Sequence, residues 1–231
     1  MRLKTLATHP VWREPRTVFG VWMLTGVIFA IVKLLIGKYN NYKIFEGVYW
    51  HAIEGLTLYG DHYPEYYDSN HYGILFSLII APFALLPEWL GIILWIAGNT
   101  ALLFYAISRL PLSSTQKIII YWYSYCELMT AQGVQQFNSS AASDVYKRQV
   151  QQFNISVAAF ILLSFVLILE KKDFWAAGII MLGTFIKIYP IVGLAFFFFS
   201  RQKVRLLASC LFWGLVCFVI PVLYTPGFEY A

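Results

Sequence analysis

Charge is scarce in this chain: Asp, Glu, Lys and Arg make up 13% of its 231 residues, about half the share usual in a soluble domain. Hydrophobic residues make up 59% and the mean hydropathy is +0.63, so a water-soluble globule is excluded. Cysteine is scarce too. Cys126, Cys210 and Cys217 lie in apolar segments with no CxxC pair and no nearby histidine, so they read as packing residues at lipid depth rather than redox or zinc ligands. No stripe of Lys and Arg interleaved with aromatics is present, and the net charge of +5 therefore does not point to nucleic acid. Residues 1–16 are polar and basic and lead straight into an apolar run long enough to span a bilayer, which reads as an uncleaved first helix.

What is there is a series of apolar runs separated by short polar breaks. The expected class is all-α, a polytopic transmembrane protein whose helices satisfy their own backbone in lipid. Spans are expected over 18–36, 89–107, 118–130, 155–169 and 206–224. Residues 1–17 form a cytoplasmic N-terminus, because Arg2, Lys4, Arg13 and Arg16 precede the first span, and residues 18–231 form one membrane domain. Lys33, near the outer end of that span, can snorkel. The outer loop, 37–72, holds Glu46, Glu54, Asp61, Glu65 and Asp68 with His51, His62 and His71. Its polar and apolar residues alternate so as to predict a short interfacial helix ending near Gly55. Residues 74–86, broken by Pro82 and closed by Pro87, fall short of the ~20 residues needed to cross and predict a re-entrant or tilted segment.

Residues 174–200 could form one tilted span. A single crossing, however, would put Lys171-Lys172 and Arg201, Lys203 and Arg205 on opposite sides, against the positive-inside rule. A hairpin of two short helices turning at Lys187-Ile188-Tyr189-Pro190 keeps both clusters cytoplasmic and the turn on the outer side. After the last span the chain stops a few residues past Thr225-Pro226, so further spans are expected to be missing.

The pentapeptide VQQFN occurs at 134–138 and again at 150–154. A structural repeat carries a pattern over about 20 residues or more. This one is a verbatim pair around an unrelated polar stretch, SSAASDVYKRQ, that resembles translated library-adapter sequence, so 139–154 reads as an assembly insert; the alternative is a real outer extension tipped by Lys147-Arg148.

Ionisable groups near a membrane are candidates for function. Lys187, at a helix break, can pair with a phosphate, helped by freed backbone N–H groups, or can simply snorkel. In the acidic loop a carboxylate can act as general base toward a hydroxyl, with Glu46 first and Glu54 or Asp61 after it, or the loop can merely be acidic and solvated. Gln136 and Asn138 can hydrogen-bond sugar hydroxyls or phosphate oxygens, or cap a helix. Tyr189, in the Lys187 turn, joins them as a substrate contact. The histidines lack metal-ligand spacing on a common helix face, such as i, i+4, and no metal site is assigned.

The order of these features, YKIFEGVYWHAIEGLTLYG in the outer loop, APFALLPEWLG with a Trp-bearing helix, QFN, and FIKIYP followed by RQKVR, resembles the DUF2029 family, glycosyltransferase family 87. That resemblance implies a GT-C-like membrane enzyme. Such an enzyme transfers a hexose such as mannose from a polyprenyl-phosphate donor to a glycan or glycolipid acceptor in the plasma (inner) membrane, with no cofactor beyond the lipid-linked sugar. It further implies that Lys187 meets donor phosphate beside Pro190, and that Gln136 and Asn138, or their duplicates Gln152 and Asn154, form the family's Q-x-N segment. The loop position where many members carry an Asp, read as the base, holds Asn41 here, and an amide cannot take that role. Gly73 stands where members often carry Pro. Alternatives to the enzyme are a lipid or solute transporter and an inactive glycosyltransferase relative.

Overall fold

The computed structural model describes residues 9–60, 62–67, 69–137 and 154–225, with helical backbone only at 128 and 130–137. Among these residues the secondary structure is helical with no strand, as the composition requires. Helix α1 (Pro15–Leu35) opens with proline at its first turn, where the missing N–H forfeits no bond. It runs antiparallel to α4 (Glu88–Arg109). Phe19 and Trp22 pack on Phe104, and Gly26 lets the helices close until an added Cβ would lie 3.4 Å from Ile96.

Helix α2 (Asn40–Glu54) is the short loop helix expected from the sequence, and it ends at Gly55, whose φ of 69° lies in the left-handed region that favours glycine. Its buried face, Tyr42, Phe45, Val48 and Ala52, packs with Phe76 and Ile80 of α3 (Phe76–Ala84) and with Trp95 of α4. At nine residues α3 covers only about 14 Å, so it cannot cross a bilayer. Lys33 does not reach for the surface: it is buried, with Nζ 5.1 Å from the ring centre of Phe29. Cys210 and Cys217 are buried, whereas Cys126 is exposed.

Among the described residues, three helices are long and apolar enough to cross a membrane, namely α1, α4 and α8 (Lys203–Tyr224). Helix α5 (Ser114–Phe137) is not among them. Helix α6 (Asn154–Leu169), with 16 residues, and α7 (Asp173–Ile186), with 14, are about 24 and 21 Å long, less than the ~30 Å of a hydrocarbon core. The helix expected over 155–169 is present with nearly those bounds, too short to cross a full hydrocarbon core.

The hairpin over 174–200 is present, but its second arm is a 3-10 helix, Tyr189–Phe199. Eleven residues at ~2.0 Å each give about 22 Å, matching α7, so both arms end at one level. There Ser200 Oγ donates to the buried carboxylate of Asp173, closing the hairpin. At the same end Arg109 and Lys172 both pair with Glu170, and Lys117 Nζ donates to the carbonyl of Ser108 at 2.6 Å. The basic clusters therefore gather at one end of the bundle.

Close packing makes a test. A Cβ on Gly91 would lie 2.0 Å from Tyr42 Oη and 2.6 Å from the carbonyl oxygen of Phe83, two atoms joined by a 3.1 Å hydrogen bond. Gly91→Ala is expected to cost about 1–3 kcal/mol, read as a lower unfolding temperature in detergent. Gly20→Ala meets nothing within 4 Å and is expected to gain roughly 0.5–1 kcal/mol from helix propensity.

Candidate functional site

The chain leaves helical geometry at Lys187, whose backbone is extended (φ −153°, ψ 128°). Pro190, without an N–H and with φ fixed, cannot continue α7. Its ring lies so near Gly183 that an added Cβ there would approach it to 2.7 Å. The break is covered by the returning outer loop, since the N–H of Gly73 donates to the carbonyl of Ile186 at 2.9 Å. Buried Asn70 exchanges two 2.9 Å hydrogen bonds with the backbone of Tyr72 and so sets that ring in place.

Lys187 is only 9% exposed. Its Nζ donates to Asn154 Oδ1 at 3.1 Å and lies 5.4 Å from the ring centre of Tyr72 and 5.2 Å from that of Tyr189. Asn154 is the first residue of α6, so the ammonium stands at a helix N-terminus, the end whose dipole favours anions. Ile188 and Tyr189 in the turn are exposed, while Lys187 and Pro190 on either side of them are buried. Ser156 bonds to Asn99, which lies about 16 Å along α4 from Glu88 at ~1.5 Å per residue.

A second group forms around Glu46, half-buried on α2. Desolvation raises its pKa above the ordinary glutamate value; the negative charge of Glu88 adds to the rise and Lys43 offsets part of it. Glu88 begins α4, where a carboxylate suits the helix dipole. Tyr39 hydrogen-bonds to it, while its Oε1 is buried without a partner. An aromatic cluster runs from the residue before Glu46 to the ring over Lys187. Phe45, next to Glu46, packs edge-on to Tyr72 at 5.3 Å and to Trp95 at 5.7 Å, and Tyr72 stacks on Phe76 at 4.7 Å.

Of the residues singled out by sequence, Lys187, Tyr189 and Asn154 meet. Glu46 forms its own group, and Glu54, exposed at the last position of α2, joins neither among the described residues. Asp61, Asn138 and Gln152 lie outside the described residues, and Gln136 is described only as helical backbone. Asn41 sits in the first turn of α2, where its neighbour Asn40 takes up the loop: Oδ1 accepts from the N–H of Tyr67 at 2.7 Å and Nδ2 donates to its carbonyl. Sequence reasoning missed Glu88 and Tyr72. Glu88 carried a signal, an acid directly after Pro87 at a helix start; Tyr72 was hidden among many interfacial tyrosines.

A family model, glycosyltransferase family 87, matches residues 70–144 and 144–231, two pieces that meet within the stretch between the two VQQFN copies. No curated protein and no solved structure matches. The match takes in α3, the Lys187 break and the hairpin beyond it, and covers well over half of the sequence. The chain belongs to glycosyltransferase family 87, and is a membrane glycosyltransferase by that membership.

Proposed function

We propose that this chain serves transfer of a hexose, mannose being one candidate, from a polyprenyl-phosphate donor to a hydroxyl of a glycan or glycolipid acceptor. The chemistry is set at the extracytoplasmic face of the plasma (inner) membrane, with the basic end and the N-terminus in the cytoplasm. Family membership supports the class of reaction. The observation that carries the finer reading is the recessed Lys187 ammonium, steadied by Asn154 and two tyrosine faces at the N-terminus of α6.

In this reading the bond between the sugar's anomeric carbon and phosphate oxygen breaks and the lipid phosphate leaves with the electron pair. Lys187 and the α6 N-terminus stabilise the charge that develops on it. The acceptor oxygen attacks the anomeric carbon and yields its proton to Glu46, which replaces the acid missing at Asn41. Glu54 and Asp61 are the weaker choices for that base, Glu54 because it stands apart from both groups. Asn154 takes the amide role read for Asn138, and Tyr189 lines the sugar.

The test is sugar transfer from a polyprenyl-phosphate hexose by the protein in vesicles. Lys187→Ala is expected to lower kcat by about 10²–10³ and Lys187→Arg by less, while Glu46→Gln should cost about 10²–10⁴. Wild-type rates in Lys187→Ala would overturn the phosphate assignment. A chain that stays silent until Asn41→Asp is introduced would instead be an inactive relative.

The pH profile supplies a second test. A base must be ionised to work, so the raised pKa of Glu46 places the acid limb of the rate profile above the ordinary carboxylate range. Glu88→Gln removes one of the charges that raise it, so the limb is expected to move to lower pH. An unmoved limb would exclude Glu46 as the base.

A further inference from the structure

The loop after α2 folds back on the helix that precedes it. Tyr66 fits against Gly47 so closely that a Cβ there would stand 2.6 Å from its ring, and Asn40 holds the backbone of Tyr67. This return brings together three side chains that no helical spacing links. His51, on α2, is 3% exposed, and its Nε2 lies 2.9 Å from Glu65 Oε2. The His62 ring lies 3.8 Å from that of His51, centre to centre. One ligand atom from each of His51, His62 and Glu65 lies within 4.8 Å of the others.

We propose that His51, His62 and Glu65 form a zinc site that staples the outer loop to the last turns of α2. Two imidazoles and one carboxylate are a donor set for Zn²⁺ rather than for Mg²⁺ or Ca²⁺, which prefer oxygen. The outer hydrogen bonds already suit it. His62 Nε2 lies 2.7 Å from the carbonyl oxygen of Thr57; a carbonyl only accepts, so Nε2 carries the proton and the Nδ1 lone pair is left for metal. His51 Nδ1 lies 3.4 Å from Tyr66 Oη, so when Nε2 takes the metal its proton moves to Nδ1, where Tyr66 receives it. Such contacts from the second ring nitrogen orient metal-binding histidines. Bonds of ~2.0–2.1 Å place ligand atoms about 3.4 Å apart in a tetrahedron, so on binding the 2.9 Å His51–Glu65 pair opens slightly and the neighbouring His51 and His62 rings swing apart to aim their lone pairs at one ion. The fourth position stays open to water. The i, i+4 criterion finds no site here because the ligands come from a helix and from a loop that returns to it.

The experiment is zinc titration of the full chain in detergent, freed of any affinity tag and stripped with chelator, by calorimetry and by the visible absorption of Co²⁺ as a stand-in. The expected result is one Zn²⁺ per chain, at least a tenfold loss of affinity in Glu65→Gln and in His62→Ala, and about a tenfold loss in Tyr66→Phe. Glu65 is 61% exposed, so its substitution leaves the helices intact, checked by circular dichroism. Zinc binding that is absent in wild type, or unchanged in Glu65→Gln and His62→Ala, overturns the proposal. No donor or acceptor is present, so that failure would leave the transferase reading untouched.

Discussion

A helix that stops inside a membrane protein leaves carbonyl groups without partners, and in lipid each such group is costly unless protein covers it. The break after Ile186 meets this constraint through Gly73, whose N–H takes the Ile186 carbonyl. An added Cβ at Gly73 would fall 2.0 Å from the carbonyl oxygen of Phe185, and a proline would remove the donor. Gly73 is therefore the residue that seats the loop on the break. Tyr72 follows from this seating and reaches Lys187 because the next residue is pinned.

The hairpin was legible because charge placement constrains topology more tightly than hydropathy does. Lys171-Lys172 and Arg201 to Arg205 had to share a side, and the Asp173–Ser200 contact shows that the arms meet at one level. The form of the second arm was not legible. Its residues, YPIVGLAFFFF, carry no polar period that would distinguish α from 3-10 geometry. The choice follows from tertiary need, since ~2.0 Å per residue lets eleven residues match fourteen of α7.

The helix over Asn40–Glu54 could be read from alternation and a terminal glycine, and Lys187 from a cation set beside Pro190. The partners of both sites could not. Asn154, Tyr72 and Glu88 come from segments far apart in sequence, and only packing decides which asparagine, which tyrosine or which acid arrives. Lys33 illustrates the same limit: a lysine near a span end has stem enough to reach water, yet here the first helix packs so that it is buried beside Phe29.

A fold selected for stability alone would bring its recessed cation to its half-buried carboxylate. Here the cluster of Phe45, Tyr72, Phe76 and Trp95 reaches both groups, through the Tyr72 ring over Lys187 and through Phe45, the residue before Glu46. Glu46 lies near the like charge of Glu88 and the opposite charge of Lys43, and Lys187 donates to the Asn154 amide and lies over two tyrosine faces. Local conflicts such as the Glu46–Glu88 repulsion concentrate at working sites. Aromatic side chains suit this place because they exclude water while their faces still steady a cation. Tyr72 and Phe45 thus link the ring face over Lys187 to the residue before Glu46, so packing couples the two groups.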